Sequence, residues 1–562
     1  MSTWFAGLSA RCTRIAARLG SPVRRLLSSL LLIPDQEPLE HAFSAHDRGQ
    51  LQRLTRAPGA AAIDDATWKD LLLDAYASAL SDQLSIFGQQ VLHRRLRAGI
   101  DGEDRAVSQR RVRALMADPA RLRQLEGACK HLRHADTEIA TLLYDSVAPP
   151  IAWWAGKTWP LPVLLLASIA AVIWSPLAWL ATFAILYVLM SRQMQYASRV
   201  SAWQRAMHSL QMLLKTSSLL GAQAAQGQGA QDAADALAPF AQHAAQAGRL
   251  NRSLSRSLMS GMLPGSREYL DWFKLENINH YFKGIAIVYG QLATLPFLRA
   301  CLLRAGDLEA DLALARHLLA APGFCWPSRS EAGMLALEQA VHPLLPGAQA
   351  LDIDFGGPGS EGKGAFISGQ NGIGKSTLLR TVGLNLVAAR AFGFCYARRA
   401  SVPQVPVYAS MQSEDSMAGG ESLYLAELRR ARELLAAAEG PHPGIYLIDE
   451  IFRGTNHLES VSAAAAVLDV LAASALVIVS SHNLVLAPLL AHRLAPWCVR
   501  LDQDGRLLLA PGVLAHTNGI ALLAQRGFGA QVEANAGKVF TWLSAYLTQP
   551  LAQPADGSGV LA

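Results

Sequence analysis

The sequence predicts a mostly α-helical region, interrupted by an apolar hairpin and followed by an α/β domain on a parallel sheet. Three observations carry this reading. Apolar residues recur at helical spacing over residues 60–145 and 195–330. The stretch from Trp159 to Met190 contains no charged residue. After Pro346, short β-branched runs (Gly364–Ser368, Ile445–Ile448, Leu476–Val479) alternate with helical segments. At 562 residues the chain is too long for one core, and about 150 residues per domain gives roughly three or four units. The units read from the sequence are a basic segment 1–59, a first helical half 60–150, the hairpin 151–195, a second helical half 196–335, the α/β domain with C-terminal helices 336–545, and a tail 546–562.

Composition narrows the class. Hydrophobic residues make up 51% and charged residues only 17%, below the ~25% usual for soluble domains. This excludes disorder for most of the chain. A net charge of +6 permits a nucleic-acid or anionic-membrane partner without requiring one. Cys12, Cys129, Cys301, Cys325, Cys395 and Cys498 show no CxxC spacing, so neither a zinc site nor a disulfide framework is readable.

The first 34 residues carry Arg11, Arg14, Arg18, Arg24 and Arg25 and no acid. A basic tail, a membrane-surface helix and a transit peptide all fit this pattern. Asp64 and Asp65 can cap a helix carrying Trp68, Leu71, Leu72, Ala75 and Tyr76. The Arg-rich stretch from Arg94 to Arg133 reads as a solvated face. The uncharged run is then expected to cross a membrane. One span from Val163 to Met190 would be about 42 Å long, more than the ~30 Å hydrocarbon core needs. A hairpin turning at Ser175-Pro176 is preferred: Lys157, Arg192 and Arg199 lie on its flanks and no charge lies at its tip. The Ala/Gln/Gly stretch Gly221–Gly248 reads as a connector or a weak long helix.

Three motifs carry chemistry. Gly369-Gln-Asn371-Gly372-Ile-Gly374-Lys375-Ser376-Thr377 fits GxxxxGK[ST] between an apolar run and a helix. In that context glycines let backbone N–H groups wrap phosphates, Lys375 reaches the β- and γ-phosphates, and Ser376 ligates Mg²⁺. The apolar strand Ile445–Asp449 ends in Asp449 and Glu450, suited to holding Mg²⁺ and to polarising the attacking water. A third strand, Ala475 to Ser481, ends in His482, in position to sense a γ-phosphate.

The continuation Asp449-Glu-Ile-Phe-Arg-Gly-Thr455-Asn resembles the DEIxRGT signature of the MutS family of mismatch-repair ATPases. His342-Pro-Leu-Leu, Ala391–Ala397, Gly420–Glu427 and Pro511–Ile520 resemble further elements of that family's ATPase domain. Leu298 to Ala315 looks like the end of its lever helix. The resemblance implies an ABC/MutS-like P-loop ATPase domain, ATP and Mg²⁺ as cofactors, and a homodimer in which Ser422 reaches the partner's γ-phosphate, unless it is simply a helix N-cap. It places Asn456 at the dimer seam. No Phe-x-Glu wedge occurs in the residues ahead of the core-like region, so specific mismatch reading is not expected. The likeness is closest to membrane-embedded MutS-related proteins, which implies a lipid bilayer as partner, with the bacterial inner membrane as location and the ATPase on its cytoplasmic side. Three functions follow: an ATP-driven lever on duplex or branched DNA, the same engine acting on a protein or membrane partner, and an ABC-type export ATPase. The last rests on Met417–Ser422, a superficial likeness to an LSGGQ signature.

Overall fold

A computed structural model describes residues 43–548 apart from 57–60, 146, 227–236, 259–272, 332, 358–362, 412–422, 441–443 and 515–518. The Arg-rich leader, Ser422 with its surrounding segment, part of the Ala/Gln/Gly stretch and the tail therefore lie outside the described residues.

The helical region begins with α1 (Ala45–Thr55), closed by a capping box between Ser44 and Asp47. Asp64 caps α2 (Asp65–Asp70), accepting from Thr67 N at 2.7 Å. The single helix expected onward to Tyr76 is in fact two. Leu72 adopts φ 55 and starts α3 (Leu73–Leu80), so Trp68, Leu71 and Tyr76 are buried while Leu72 points outward. Next come α4 (Ile86–Ala98), α5 (Gly102–Ala117), α6 (Pro119–Cys129) and α7 (Ala140–Tyr144).

The Arg-rich stretch is not simply a solvated face. Arg95 and Arg111 each reach the buried Asp311 at 2.6 Å, and Arg95 also pairs with Asp307 at 2.8 Å. A buried carboxylate without partners would be very costly, so these arginines are what allow an acid in the core. Arg97 lies 4.2 Å over the Trp68 ring.

The uncharged run folds as a hairpin, α8 (Pro160–Ala171) and α9 (Ala178–Gln226), joined by a turn around Ser175-Pro176. Thr182 Oγ1 donates to Ser168 Oγ across the pair at 3.0 Å. The sequence predicts a membrane span here. Among the described residues no single helix is long and apolar enough to cross a membrane. The 12 residues of α8 reach only about 18 Å, and the apolar part of α9 meets Arg192 soon after Met190. Leu164, Leu166, Ile169, Ile173, Trp174, Leu180 and Phe183 are nevertheless exposed.

Beyond α9 come α10 (Ala244–Leu258), α11 (Glu276–Tyr289) and α12 (Thr294–Ala320). Together α11 and α12 have span-like length and composition but are bent by 84°. Their apolar residues, such as Ile278, Phe282, Leu298 and Leu308, are buried in the core.

Two sheets follow. β1 (Ser328–Arg329), β2 (Leu335–Ala340), β3 (Leu351–Phe355) and β5 (Arg399–Val402) form one, in the order β1-β5-β2-β3. The other holds β4 (Gly364–Gly369), β6 (Val407–Ser410), β7 (Ile445–Asp449), β8 (Leu476–Ser480), β9 (Leu494–Leu501) and β10 (Leu507–Pro511). Its order is β10-β9-β4-β8-β7-β6, parallel apart from β10. Apolar β4, β7 and β8 are buried on both faces, as a parallel sheet requires. Ile367, Leu447 and Ile478 face one core, shared with α13 (Lys375–Phe392). Phe366, Ile448 and Val479 face the other, shared with α15 (His457–Ala472). α14 (Leu423–Ala438) adds Ala431 and Leu434 to that second core. The remaining helices are α16 (Leu486–Leu489), α17 (Gly519–Gln525) and α18 (Ala530–Thr548).

Candidate nucleotide-phosphate site

At the end of β4 the chain leaves Gly369, turns through Gln370–Gly374 and enters α13 at Lys375. Gly372 (φ 77) and Gly374 (φ 107) hold backbone angles that L side chains resist. That turn directs the first N–H groups of an 18-residue helix outward, where they and the helix dipole favour an anion. Lys375 is buried, and its Nζ donates to the carbonyls of Gly369 at 3.0 Å and Gln370 at 3.1 Å. Burial pushes its pKa down, against the opposing pull of Glu450 and Asp449.

Sheet order brings the motifs together. β8 lies between β4 and β7, with Ser480 in register with both Ile367 and Asp449. Asp449 accepts Ser376 Oγ on Oδ2 at 2.5 Å and Ser480 Oγ on Oδ1. Ser376 and Asp449 thus present a hydroxyl and a carboxylate oxygen side by side. That donor set fits Mg²⁺, which takes one or two carboxylates and completes its shell with water and phosphate oxygens. No group of three or more His, Cys, Asp or Glu able to hold a metal occurs among the described residues.

Glu450 follows with φ 53, and Phe452 with φ 59. Such angles in non-glycine residues persist only where the surroundings enforce them. Here Glu450 N donates to Ser480 O at 2.9 Å. The Glu450 carboxylate meets His482 Nε2 at 2.8 Å on Oε1 and Arg453 Nε on Oε2. The sequence-predicted pair Glu450 and His482 is therefore in direct contact. Arg453 belongs to the DEIxRGT resemblance, but sequence reasoning gave it no contact with Glu450, and only strand register reveals Ser480.

Other predicted residues are placed as follows. Asn371 lies exposed at the loop tip, and a Cβ on Gly519 would lie 3.8 Å from its amide nitrogen. Thr377 sits in the first turn of α13, its carbonyl accepting Thr381 Oγ1 at 2.8 Å. Asn456 caps α15, accepting Glu459 N at 3.0 Å. The loop after Glu450 packs on α14, the helix that follows Ser422. Gly454 N donates to Glu427 Oε2 at 3.2 Å, and a Cβ at Gly454 would strike the Tyr424 backbone. His342 takes a structural role, accepting Leu344 N at 3.2 Å through Nδ1.

A glycine loop between a buried parallel strand and a helix, beside a strand ending in paired acids, defines a P-loop-like α/β domain. Residues 365–534 match the family model described as MutS domain V. The DNA mismatch repair protein MutS of Salinibacter ruber is 27% identical over 249 residues, which is 41% of this chain and 27% of that protein. MutS of Chlorobium phaeovibrioides is 32% identical over 147 residues, 25% of this chain and 17% of the relative. DNA mismatch repair protein msh3 of Aspergillus fumigatus is 29% identical over 177 residues, 30% of this chain and 15% of the relative. The chain thus spans between 15% and 27% of the length of these relatives.

Proposed function

We propose that the chain is an ATP hydrolase whose nucleotide state moves its helical region on DNA. The observation that carries this is the convergence of Lys375, the Ser376–Asp449 pair and the Glu450–His482 pair at one end of the parallel sheet. In this reading Lys375 gives up its contacts with the loop carbonyls to the β- and γ-phosphates. Backbone N–H groups of residues 372–376 hold the remaining phosphate oxygens. Ser376 and Asp449 would hold Mg²⁺, which supplies charge neutralisation when bound. Glu450 orients the attacking water and takes its proton, and His482 steadies the carboxylate. Ser422 of a second copy completes the site, so turnover depends on dimer formation.

DNA as the object of the movement is favoured by a cationic surface on the helical region. Lys130, His131 and His134 lie on the short turn Lys130–His134, with the two imidazoles 6.4 Å apart. Arg205, His208 and Lys215 fall on one face of α9. Thr137 N donates to Ser209 Oγ at 3.2 Å, joining the two elements, and Asp136 is the carboxylate beside that joint. Burial first, then Lys215, Lys130 and the neighbouring imidazoles, push both His131 and His134 down. The positive charge of that surface therefore comes from Lys130, Arg205 and Lys215 rather than from the two imidazoles. A second reading, in which the engine works on a protein or membrane partner, is favoured by the exposed apolar hairpin. In it the hairpin enters one face of a bilayer, with the ATPase domain on the cytoplasmic side.

The test is ATP turnover by the purified chain with and without duplex and branched DNA across a salt series. Phosphate contacts release counterions, so the DNA reading expects stimulation that falls steeply with salt. Turnover indifferent to DNA at every ionic strength favours the second reading. No turnover in any condition removes both.

A further inference from the structure

Strand β8 reads Leu-Val-Ile-Val-Ser and is buried along its whole length. Its first four residues are apolar, and only Ser480, at the end nearest the glycine loop, carries a polar side chain. A hydroxyl with no exposed surface needs a partner inside the protein, because burying it unpaired is costly. The Ser480 hydroxyl finds one in Oδ1 of Asp449, the residue in register with it on β7. Asp449 is buried as well, and its other oxygen accepts the Ser376 hydroxyl at 2.5 Å. The carboxylate is thus gripped by two serines, one from the start of α13 and one from the end of β8. A single hydroxyl would leave its plane free to swing about one bond. With both in place the plane is fixed, and each oxygen keeps a lone pair to spare.

Ser480 holds the neighbouring acid by a different group. Its carbonyl accepts Glu450 N at 2.9 Å, and two residues further on His482 meets the Glu450 carboxylate at 2.8 Å. Adjacent residues on a regular strand face opposite ways, but Glu450 leaves β7 at φ 53. The two acids are therefore held separately: Asp449 by the Ser480 side chain, Glu450 by the Ser480 main chain and by His482. Loss of the hydroxyl alone would loosen the first and spare the second.

We infer that Ser480 is a positioning residue for the metal end of the site: its hydroxyl fixes the Asp449 carboxylate in the orientation that, beside Ser376, suits Mg²⁺. The inference rests on the ATPase reading and adds to it a residue that acts only through Asp449. Partners that orient a metal ligand set how well the metal is held, even though they never touch it.

The test compares the full-length chain with Ser480→Ala and with Ser368→Ala. Ser368 is the control: it is equally buried at the same end of β4, but its hydroxyl donates to the Trp497 carbonyl at 3.1 Å. Affinity for a fluorescent, non-hydrolysable ATP analogue is measured with Mg²⁺ and with a chelator, and turnover is followed against Mg²⁺ concentration. The wild type should bind the analogue more tightly with Mg²⁺. In Ser480→Ala that tightening should shrink by about tenfold, with affinity in chelator unchanged. The Mg²⁺ concentration for half-maximal turnover should rise by a similar factor. At saturating Mg²⁺, kcat should stay near that of the wild type, because the hold on Glu450 survives. Ser368→Ala should leave the tightening by Mg²⁺ as it is. Unaltered metal dependence in Ser480→Ala overturns the inference. So does equal loss of affinity with and without Mg²⁺, or the same shift in Ser368→Ala, since either marks a merely structural role. If the wild-type chain neither binds the analogue nor hydrolyses ATP, the ATPase reading itself fails and takes the inference with it.

Discussion

Glu450 and His482 meet at 2.8 Å, Oε1 against Nε2. The two residues come from the ends of neighbouring parallel strands, β7 and β8. With Arg453 on its other oxygen, the carboxylate is held by two cationic or donor groups before any substrate arrives. Glu450→Gln keeps the side-chain size and removes the base. It is expected to bind ATP normally and to lower kcat by roughly 10²–10⁴-fold, measured by nucleotide titration and steady-state phosphate release. Normal turnover in this variant would assign the base elsewhere.

Lys375 spends its ammonium group on two carbonyls of its own loop. Lys375→Ala is expected to lose nucleotide binding in calorimetric titration while keeping the helical far-ultraviolet spectrum of the wild type. Retained affinity would mean that the loop does not grip phosphate.

Glu309 is fully buried on α12, where it accepts Gly88 N at 3.1 Å and the Ser85 hydroxyl. Burial raises its pKa from 4.5 to about 7. A carboxyl whose folded pKa lies above its unfolded one binds its proton more tightly when folded. Its contribution is therefore fully present below about 4.5 and is lost as pH rises to about 7. Glu309→Gln should flatten the stability–pH curve across that window and stabilise the chain at pH 8 by on the order of 1–3 kcal/mol. Urea midpoints that depend on pH identically in both proteins would refute this.

The hairpin offers a test of its own. Trp174 and Trp179 are exposed at and beside the turn, so their fluorescence should shift to the blue when anionic phospholipid vesicles are added. Replacing Trp174 and Leu177 together by Ser should reduce co-sedimentation with those vesicles. Unchanged sedimentation and unchanged emission would leave the bilayer with no part in the hairpin.

Much of the site was legible because its chemistry is local. A glycine loop before a helix and paired acids after an apolar strand are contiguous patterns, and the parallel sheet needed only three apolar runs to be foreseen. Ser480 and the contact of Arg453 with Glu450 were not legible, since they depend on register across strands and on a loop folding back. At the hairpin 32 uncharged residues suggested a span; the turn divides them between the 12-residue α8 and the apolar start of the much longer α9, and among the described residues no single helix is both long and apolar enough to cross. The Arg-rich stretch misled for another reason. Composition reads as solvated charge, whereas Asp311 and Asp307 on a distant helix draw Arg95 into the core.

The 49-residue helix α9 starts beside the hairpin turn and continues without a break into the helical core. At 1.5 Å per residue it is a boom about 73 Å long, so a tilt of five degrees at one end sweeps the other through about 6 Å. Whatever the hairpin rests on therefore becomes the fulcrum: with the tip held fast, the same rotation would displace the core instead.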